Sequence, residues 1–249
     1  MLLKDLDMDN WFNAIASAFS LPRETAEELD ETGFIVIKGA TTRVQCAQLD
    51  AAYDAAVSGA DPEDIRIGST TTRVNDFVNR GTAFDWLYTH GPILGASASL
   101  IRRPFKLSTM HARTVHAGAP AQELHVDFER QPDGWPMAGF IIMIDPFRDT
   151  NGATRFVPGS HKWSTALQDD IRSLGDEQQI VAKGPAGSII IYNGSIWHGH
   201  SANHTMRARR SIQGAYIRRD VQAAFDQAAL ARPETLRRIT PLARYLLAI

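Results

Sequence analysis

Apolar residues across positions 9–19 recur at near-helical spacing, and Pro22 stands where it can open a second helix, 23–31, at its first position. Gly33 closes that helix. Phe34-Ile35-Val36-Ile37 then reads as a short strand ended by Gly39. Thr41 or Thr42 can cap a third helix that runs to about Ser58, with Val44, Leu49, Ala52 and Ala56 on one side. Positions 60–80 are polar and follow neither period. Positions 84–99 read as helix in two pieces, broken near Gly91-Pro92.

The pattern changes after Arg103-Pro104. Positions 105–116 alternate loosely, as a strand does, and short strands separated by Gly, Pro, Asn and Asp follow to about Arg218. The clearest are 139–144, 154–157, 188–192 and 208–217. Positions 221–249 return to helix, interrupted by Pro233 and Pro241. Regular short strands with turn signals suggest a closed or sandwiched β-structure. The expectation is one domain over 1–249: a helical part to about 103, a β-core over about 104–218, and C-terminal helices from about 219.

With 249 residues, 44% of them hydrophobic, the chain can bury a full core, and global disorder is excluded. Lys plus Arg number 26 against 28 Asp plus Glu, so charge gives no argument for nucleic acid or an acidic membrane surface. The lone cysteine, Cys46, excludes a disulfide framework and reads as a helix packing residue. Acids in Met1-Leu2-Leu3-Lys4-Asp5-Leu6-Asp7 stand where a signal peptide needs a basic start, and no run approaches the roughly 18 apolar residues of a membrane span. A soluble, cytoplasmic protein is the expectation. The amphipathic tail 236–249 can cover its own barrel or meet a second copy, which makes a homodimer an option.

Three stretches carry chemistry. In Gln122-Glu123-Leu124-His125-Val126-Asp127, His125 and Asp127 share a face if the segment is a strand. An imidazole and a carboxylate side by side supply two ligands of the facial triad that suits iron(II) and leaves three positions open. A third ligand must come from Trp197-His198-Gly199-His200-Ser201-Ala202-Asn203-His204, where alternation alone does not choose among His198, His200 and His204. Eleven residues after His198 comes Arg209. If 201–206 is a turn, the next strand runs back beside His198 and Arg209 projects into the same cavity, where a guanidinium clamps a carboxylate bidentately. The alternative is a solvated basic cluster of Arg207, Arg209 and Arg210. Between these stretches, Asn151-Gly152-Ala153-Thr154 leads to the corner Val157-Pro158-Gly159-Ser160-His161, where His161 reads as a structural hydrogen-bonding residue.

Taken in order, Gln122-x-x-His125-x-Asp127, Asn151-Gly152-Ala153-Thr154, Val157-Pro158-Gly159-Ser160-His161, Gly187-Ser188, His198-Gly199 with Asn203, and Arg209 resemble the phytanoyl-CoA dioxygenase family of iron(II)/2-oxoglutarate-dependent oxygenases. The opening 30–37 also resembles that family's helix-to-strand passage. The resemblance implies a mainly β fold with flanking helices: a double-stranded β-helix (jelly-roll, cupin-like) core. It implies that His125, Asp127 and His198 bind iron(II), with His198 rather than His200 in the family's frame. It implies that Arg209 binds the distal carboxylate of 2-oxoglutarate and that Gln122 and Thr154 contact this cosubstrate. Where relatives commonly have Ser and Gly, this chain has His200 and Ser201. Asp127 stands where halogenating relatives have a small residue, which argues against halogenation.

The implied activity is a dioxygenase that uses iron(II), 2-oxoglutarate and dioxygen to oxidise, chiefly hydroxylate, an aliphatic carbon of a small organic molecule, with succinate and carbon dioxide released. Secondary metabolism is the expected setting. Two other readings are a non-catalytic ligand-binding barrel and a cupin-like hydrolase or isomerase with another metal. Specificity is expected from the loop 128–135, from 67–80 with Arg73, Asn75 and Phe77, and from the C-terminal helices. Trp135 can line the pocket or pack, and His111, Arg113 and His116 lie on a strand whose alternate residues face the cavity. Trp197 is expected in the core, and His90 and His204 at the surface or a helix end.

Overall fold

In a computed structural model, residues 8–163 and 176–249 are described. The opening Met1–Asp7 stretch, weighed above against a signal peptide, lies outside them. The helices α1 (Met8–Ala18), α2 (Arg23–Thr32), α3 (Arg43–Ser58) and α4 (Gly91–Ile101) precede most of the sheet. The strands are β1 (Phe34–Ile37), β2 (Ile65–Ile67), β3 (Thr71–Val74), β4 (Phe105–Val115), β5 (Met137–Met143), β6 (Thr154–Phe156), β7 (Ile180–Val181), β8 (Ile189–Asn193), β9 (His198–His200) and β10 (Arg209–Arg218). They form a seven-stranded sheet, β1-β8-β5-β10-β4-β3-β2, facing a three-stranded sheet, β7-β6-β9. Every strand pair is antiparallel. This is the mainly β, jelly-roll architecture with flanking helices.

Both faces of the large sheet are covered, which explains why β8 is a nearly unbroken apolar run. Ile189 and Ile191 join the core under the helices, with Ile15, Leu94, Phe140, Ile212 and Tyr216. Ile190 and Tyr192 face the opposite way and pack with Phe34, Ile141, Phe147 and Phe156 between the sheets. Each fully buried isoleucine contributes about 1.5–3 kcal/mol. The C-terminal segment puts Ile239, Ala243, Tyr245, Leu246 and Leu247 into the first core. Most of the apolar residues that raised the option of a second copy therefore pack on their own chain, while Ile249 is exposed.

Most expected boundaries hold to within a residue or two, and three features differ. Thr42 does cap α3, in a reciprocal capping box with Gln45, but Val44 is 67% exposed while Leu49 and Tyr53 are buried. Val44 precedes Leu49 by five residues, which turns it about 140° away around the helix. Gly91-Pro92 starts α4 rather than breaking a helix, because proline fits the first turn, where no N–H is needed. The unclassified 60–80 stretch holds β2 and β3, so three of the seven large-sheet strands precede residue 104. Short edge strands rich in Thr and Arg carry little hydrophobic signal.

The motif corner turns out to be a brace. Gly159 has φ 76°, a left-handed conformation that favours glycine. Ser160 Oγ accepts from the Trp197 N–H at 2.9 Å, and His161 Nε2–H donates to the Asp30 carbonyl at 3.1 Å. The corner thus ties the start of β9 to the end of α2.

Candidate metal centre

His125 and His198 meet as direct partners in an isolated antiparallel bridge. The N–H of each donates to the carbonyl of the other at 2.9 Å, and the imidazole centroids lie 4.5 Å apart. Asp127 is not on a strand with His125, as expected above, but in a bend. The N–H groups of Asp127 and Phe128 both donate to the Gly194 carbonyl at 3.0 Å, which anchors the bend to the β8–β9 turn. His125, Asp127 and His198 gather one ligand atom each within 4.8 Å of one another. His125 Nε2 is 3.9 Å from Asp127 Oδ1, and His198 Nε2 is 3.6 Å from Asp127 Oδ2.

The tautomers follow from the partners. His125 Nδ1 faces the Glu123 carbonyl at 3.1 Å and His198 Nδ1 faces the Ile196 carbonyl at 2.9 Å. A carbonyl only accepts, so each Nδ1 carries the hydrogen, and in the neutral ring Nε2 is the atom that offers a lone pair to the cluster. Burial, then the neighbouring His198, holds His125 below the ordinary histidine pKa. Lost hydration pushes the Asp127 carboxyl up, but His198, the Tyr192 hydroxyl, His125 and Arg113 together hold it below its ordinary value. Two imidazoles and a carboxylate are the donor set of a divalent transition metal with open positions.

A narrow slot leads from this cluster between the sheets, lined by Gln122, Thr154, His200, Arg113, Gln213 and Arg209. Arg209 is 1% exposed, its guanidinium 4.1 Å from the Phe147 ring centroid. Nε and Nη2 donate to the Gly152 carbonyl at 3.2 and 2.7 Å, and Nη1 donates to Ser211 Oγ at 2.9 Å. Among the described residues no carboxylate pairs with it. Burial, then Arg113, lowers its pKa to about 9, which still leaves a cation at neutral pH. The solvated-cluster reading thus fails for Arg209, whereas Arg210 is clamped by Asp50, Asp54 and Asp145.

The route that brings Arg209 here differs from the expected hairpin. β10 pairs with β4 and β5, while β9 pairs with β6, so Arg209 faces His198 across the barrel instead of beside it. Buried Asn203 holds the crossover. Its amide donates to the His116 and Arg207 carbonyls at 2.9 and 2.8 Å, and its oxygen accepts from the Thr205 N–H and hydroxyl.

Thr154 is 4% exposed and lies opposite His200 in the β6–β9 register. Gln122 Oε1 accepts from Arg113 Nη2 at 2.8 Å. His200 does not join the candidate ligand cluster. Its Nδ1–H donates to the Ser201 carbonyl at 2.9 Å, and its Nε2 accepts from the Thr70 hydroxyl at 3.0 Å.

Beyond Asp127 the slot opens into a cavity of about 650 Å³. One wall is apolar, with Phe128, Met137, Ile217 and Phe225; the other carries Arg66, Arg73, Asn75, His111 and Gln213. Arg66, Arg73 and Arg113 are direct cross-strand partners in one row over β2, β3 and β4. Like charges set opposite one another cost stability, so this row forms a cationic wall suited to anions.

Phe77 is a correction: it is fully buried against Tyr53 and Phe84, because its short 3₁₀ turn faces the core. His116 bonds Thr72, Trp135 packs on His161, Trp197 is half-buried, and His204 is exposed. Tyr192, which donates to Asp127 Oδ2 at 2.6 Å, was missed by sequence reasoning. Its one signal was a hydroxyl at the end of an isoleucine-rich strand.

The phytanoyl-CoA dioxygenase (PhyH) family profile matches residues 29–211, a stretch that contains Gln122, His125, Asp127, Thr154, His198 and Arg209. The chain belongs to this family and is a 2-oxoglutarate-dependent dioxygenase; the family uses iron(II), 2-oxoglutarate and dioxygen. Dioxygenase FrzG of Cladobotryum sp. is 30% identical over 230 residues, 80% of this chain and 75% of that protein. Dioxygenase olcK of Penicillium canescens is 32% identical over 162 residues, 59% of this chain and 52% of its own, so the match spans about half of olcK. The fold is shared with HygX from Streptomyces hygroscopicus, solved with nickel and 2-oxoglutarate and also with hygromycin B bound. Its TM-score is 0.67 at 16% identity, covering 82% of this chain and 90% of that one. Among the described residues no helix is long and apolar enough to cross a membrane.

Proposed function

We propose that this dioxygenase hydroxylates an aliphatic carbon of a small organic molecule in secondary metabolism, with release of succinate and carbon dioxide. The observation that carries the reading is a three-residue cluster, two of whose members, Asp127 and His198, line one slot with a buried Arg209 that no carboxylate pairs among the described residues. A cavity of about 650 Å³ with one apolar and one polar wall suits such a molecule. The fungal dioxygenase relatives and the hygromycin B complex of HygX point the same way.

In this reading His125, Asp127 and His198 hold iron(II) through Nε2, a carboxylate oxygen and Nε2. Bound there, the metal with 2-oxoglutarate and dioxygen supplies the oxidising power to break an unactivated C–H bond. Arg209 receives the distal carboxylate of 2-oxoglutarate with the N–H groups it does not spend on Gly152 and Ser211, and Thr154 lines the same slot. Gln122, fixed by Arg113, lines the same slot. Arg113 and Arg73 offer positive charge to the other carboxylate. The apolar wall excludes water and sets which substrate carbon faces Asp127.

The test is incubation with iron(II), 2-oxoglutarate and ¹⁸O₂, followed by mass spectrometry of succinate and of a panel of small organic candidates. The expected result is labelled succinate that depends on iron and disappears in Asp127→Ala, with one labelled oxygen added to the accepted substrate. Absence of labelled succinate from the intact enzyme refutes the assignment.

A further inference from the structure

The two oxygens of Asp127 are not equivalent. Oδ2 accepts a hydrogen bond from the Tyr192 hydroxyl at 2.6 Å, whereas Oδ1 has no hydrogen-bond donor among the described residues. Tyr192 is 5% exposed and borders both the slot and the larger cavity. Its partner in the β5–β8 register is Gly139. A Cβ at position 139 would collide with the Tyr192 ring, so the missing side chain is what lets the phenol lie across β5 and reach the carboxylate. The segment that carries Tyr192 also holds the Asp127 main chain, through the Gly194 carbonyl, and ends at His198. One stretch of seven residues, 192–198, therefore supplies one candidate ligand and grips another by both backbone and side chain.

We propose that Tyr192 is a positioning residue for the metal. Its hydroxyl occupies Oδ2, so that Asp127 offers Oδ1 as a single ligand atom. This rests on the reading of Asp127 as a metal ligand. The physical reason is the number of sites. Two imidazoles and one singly bound carboxylate leave three positions on an octahedral ion. A chelating keto acid would take two of these, which would leave the third for dioxygen. A carboxylate free to turn and bind through both oxygens removes that third position. The hydrogen bond also fixes the carboxylate before the metal arrives, as partners of ligating carboxylates do elsewhere.

Tyr192→Phe tests this, because it keeps the ring and removes the hydroxyl. Dissociation constants for iron(II) and cobalt(II) are measured without oxygen by competition with a fluorescent chelator. The visible charge-transfer band of the iron(II)–2-oxoglutarate chelate and the Tm of the metal-free protein are recorded alongside. Tyr88→Phe, a buried tyrosine on the helix side of the large sheet, is the control. The expected result is metal binding weakened about 10- to 100-fold and a displaced band in Tyr192→Phe, with both unchanged in Tyr88→Phe. Gly139→Ala, which evicts the ring, is expected to repeat the metal phenotype. Metal affinity within about twofold of the parent and an unmoved band in Tyr192→Phe overturn the proposal. An intact protein that binds neither metal overturns the ligand assignment itself, a different outcome from parent and variant binding alike.

Discussion

Replacing Arg209 with lysine keeps the charge and removes the fork. A guanidinium has five N–H donors. Three are engaged, one from Nε and one from Nη2 to Gly152, and one from Nη1 to Ser211. One donor remains on each terminal nitrogen, which is the pattern a carboxylate accepts bidentately. A lysine can replace one of these two bonds at best. A charge-assisted hydrogen bond is worth about 1.5–3 kcal/mol, so Arg209→Lys is expected to weaken 2-oxoglutarate binding about 10- to 150-fold. The assay is an anaerobic titration of the iron-loaded protein with 2-oxoglutarate, read by the charge-transfer band. Loss of the bonds to Gly152 and Ser211 will also lower Tm, so iron(II) affinity without cosubstrate is measured in parallel and is expected to hold. A 2-oxoglutarate affinity within about threefold of the parent, with Tm lowered, refutes the reasoning and leaves Arg209 as a structural cation.

His198→Ala is expected to abolish tight iron(II) binding, whereas His200→Ala, whose ring is tied to Thr70 and Ser201, is expected to retain it; isothermal titration separates them. The pKa of His111 is lowered to about 3, first by burial and then by Arg73 and Arg113. The unfolded chain takes up a proton at this residue near pH 6.5 and the folded protein does not, so stability falls as pH drops from about 6.5 towards 3, by up to about 1.4 kcal/mol per unit. Urea unfolding of His111→Gln should show a shallower fall than the parent, and parallel curves would contradict the assignment. Thr42→Ala removes a capping box and is expected to cost about 1 kcal/mol in the same assay, with catalysis unaffected.

Much of the site was legible because ligand chemistry leaves local marks. His125-x-Asp127, the Gly-Ala-Thr turn, the Pro-Gly-Ser-His corner and the eleven-residue step from His198 to Arg209 are read along the chain. Hydrophobic periodicity also placed α1, α2, α3 and the long strands, since burial of one helix face or alternate strand residues repeats at a fixed interval. The β2–β3 edge escaped notice because it buries little, and the inward residues of the large sheet lay too far apart in sequence to be linked.

The amino-acid order alone determined the class of chemistry, the candidate ligands and the alternation of helix and strand. Strand alternation left His198 and His200 equivalent, and only the family resemblance favoured His198. Tertiary structure separates them, because His198 bridges His125 while His200 is tied to Thr70 and Ser201. It decided that Arg209 faces the cluster from the opposing sheet, because Asn203 turns the chain across the barrel instead of into a hairpin. It decided that Tyr192 touches Asp127, a contact between residues 65 positions apart that depends on glycine at 139 in a neighbouring strand. Periodicity reports what each segment buries, and pairing between distant strands decides which buried groups meet.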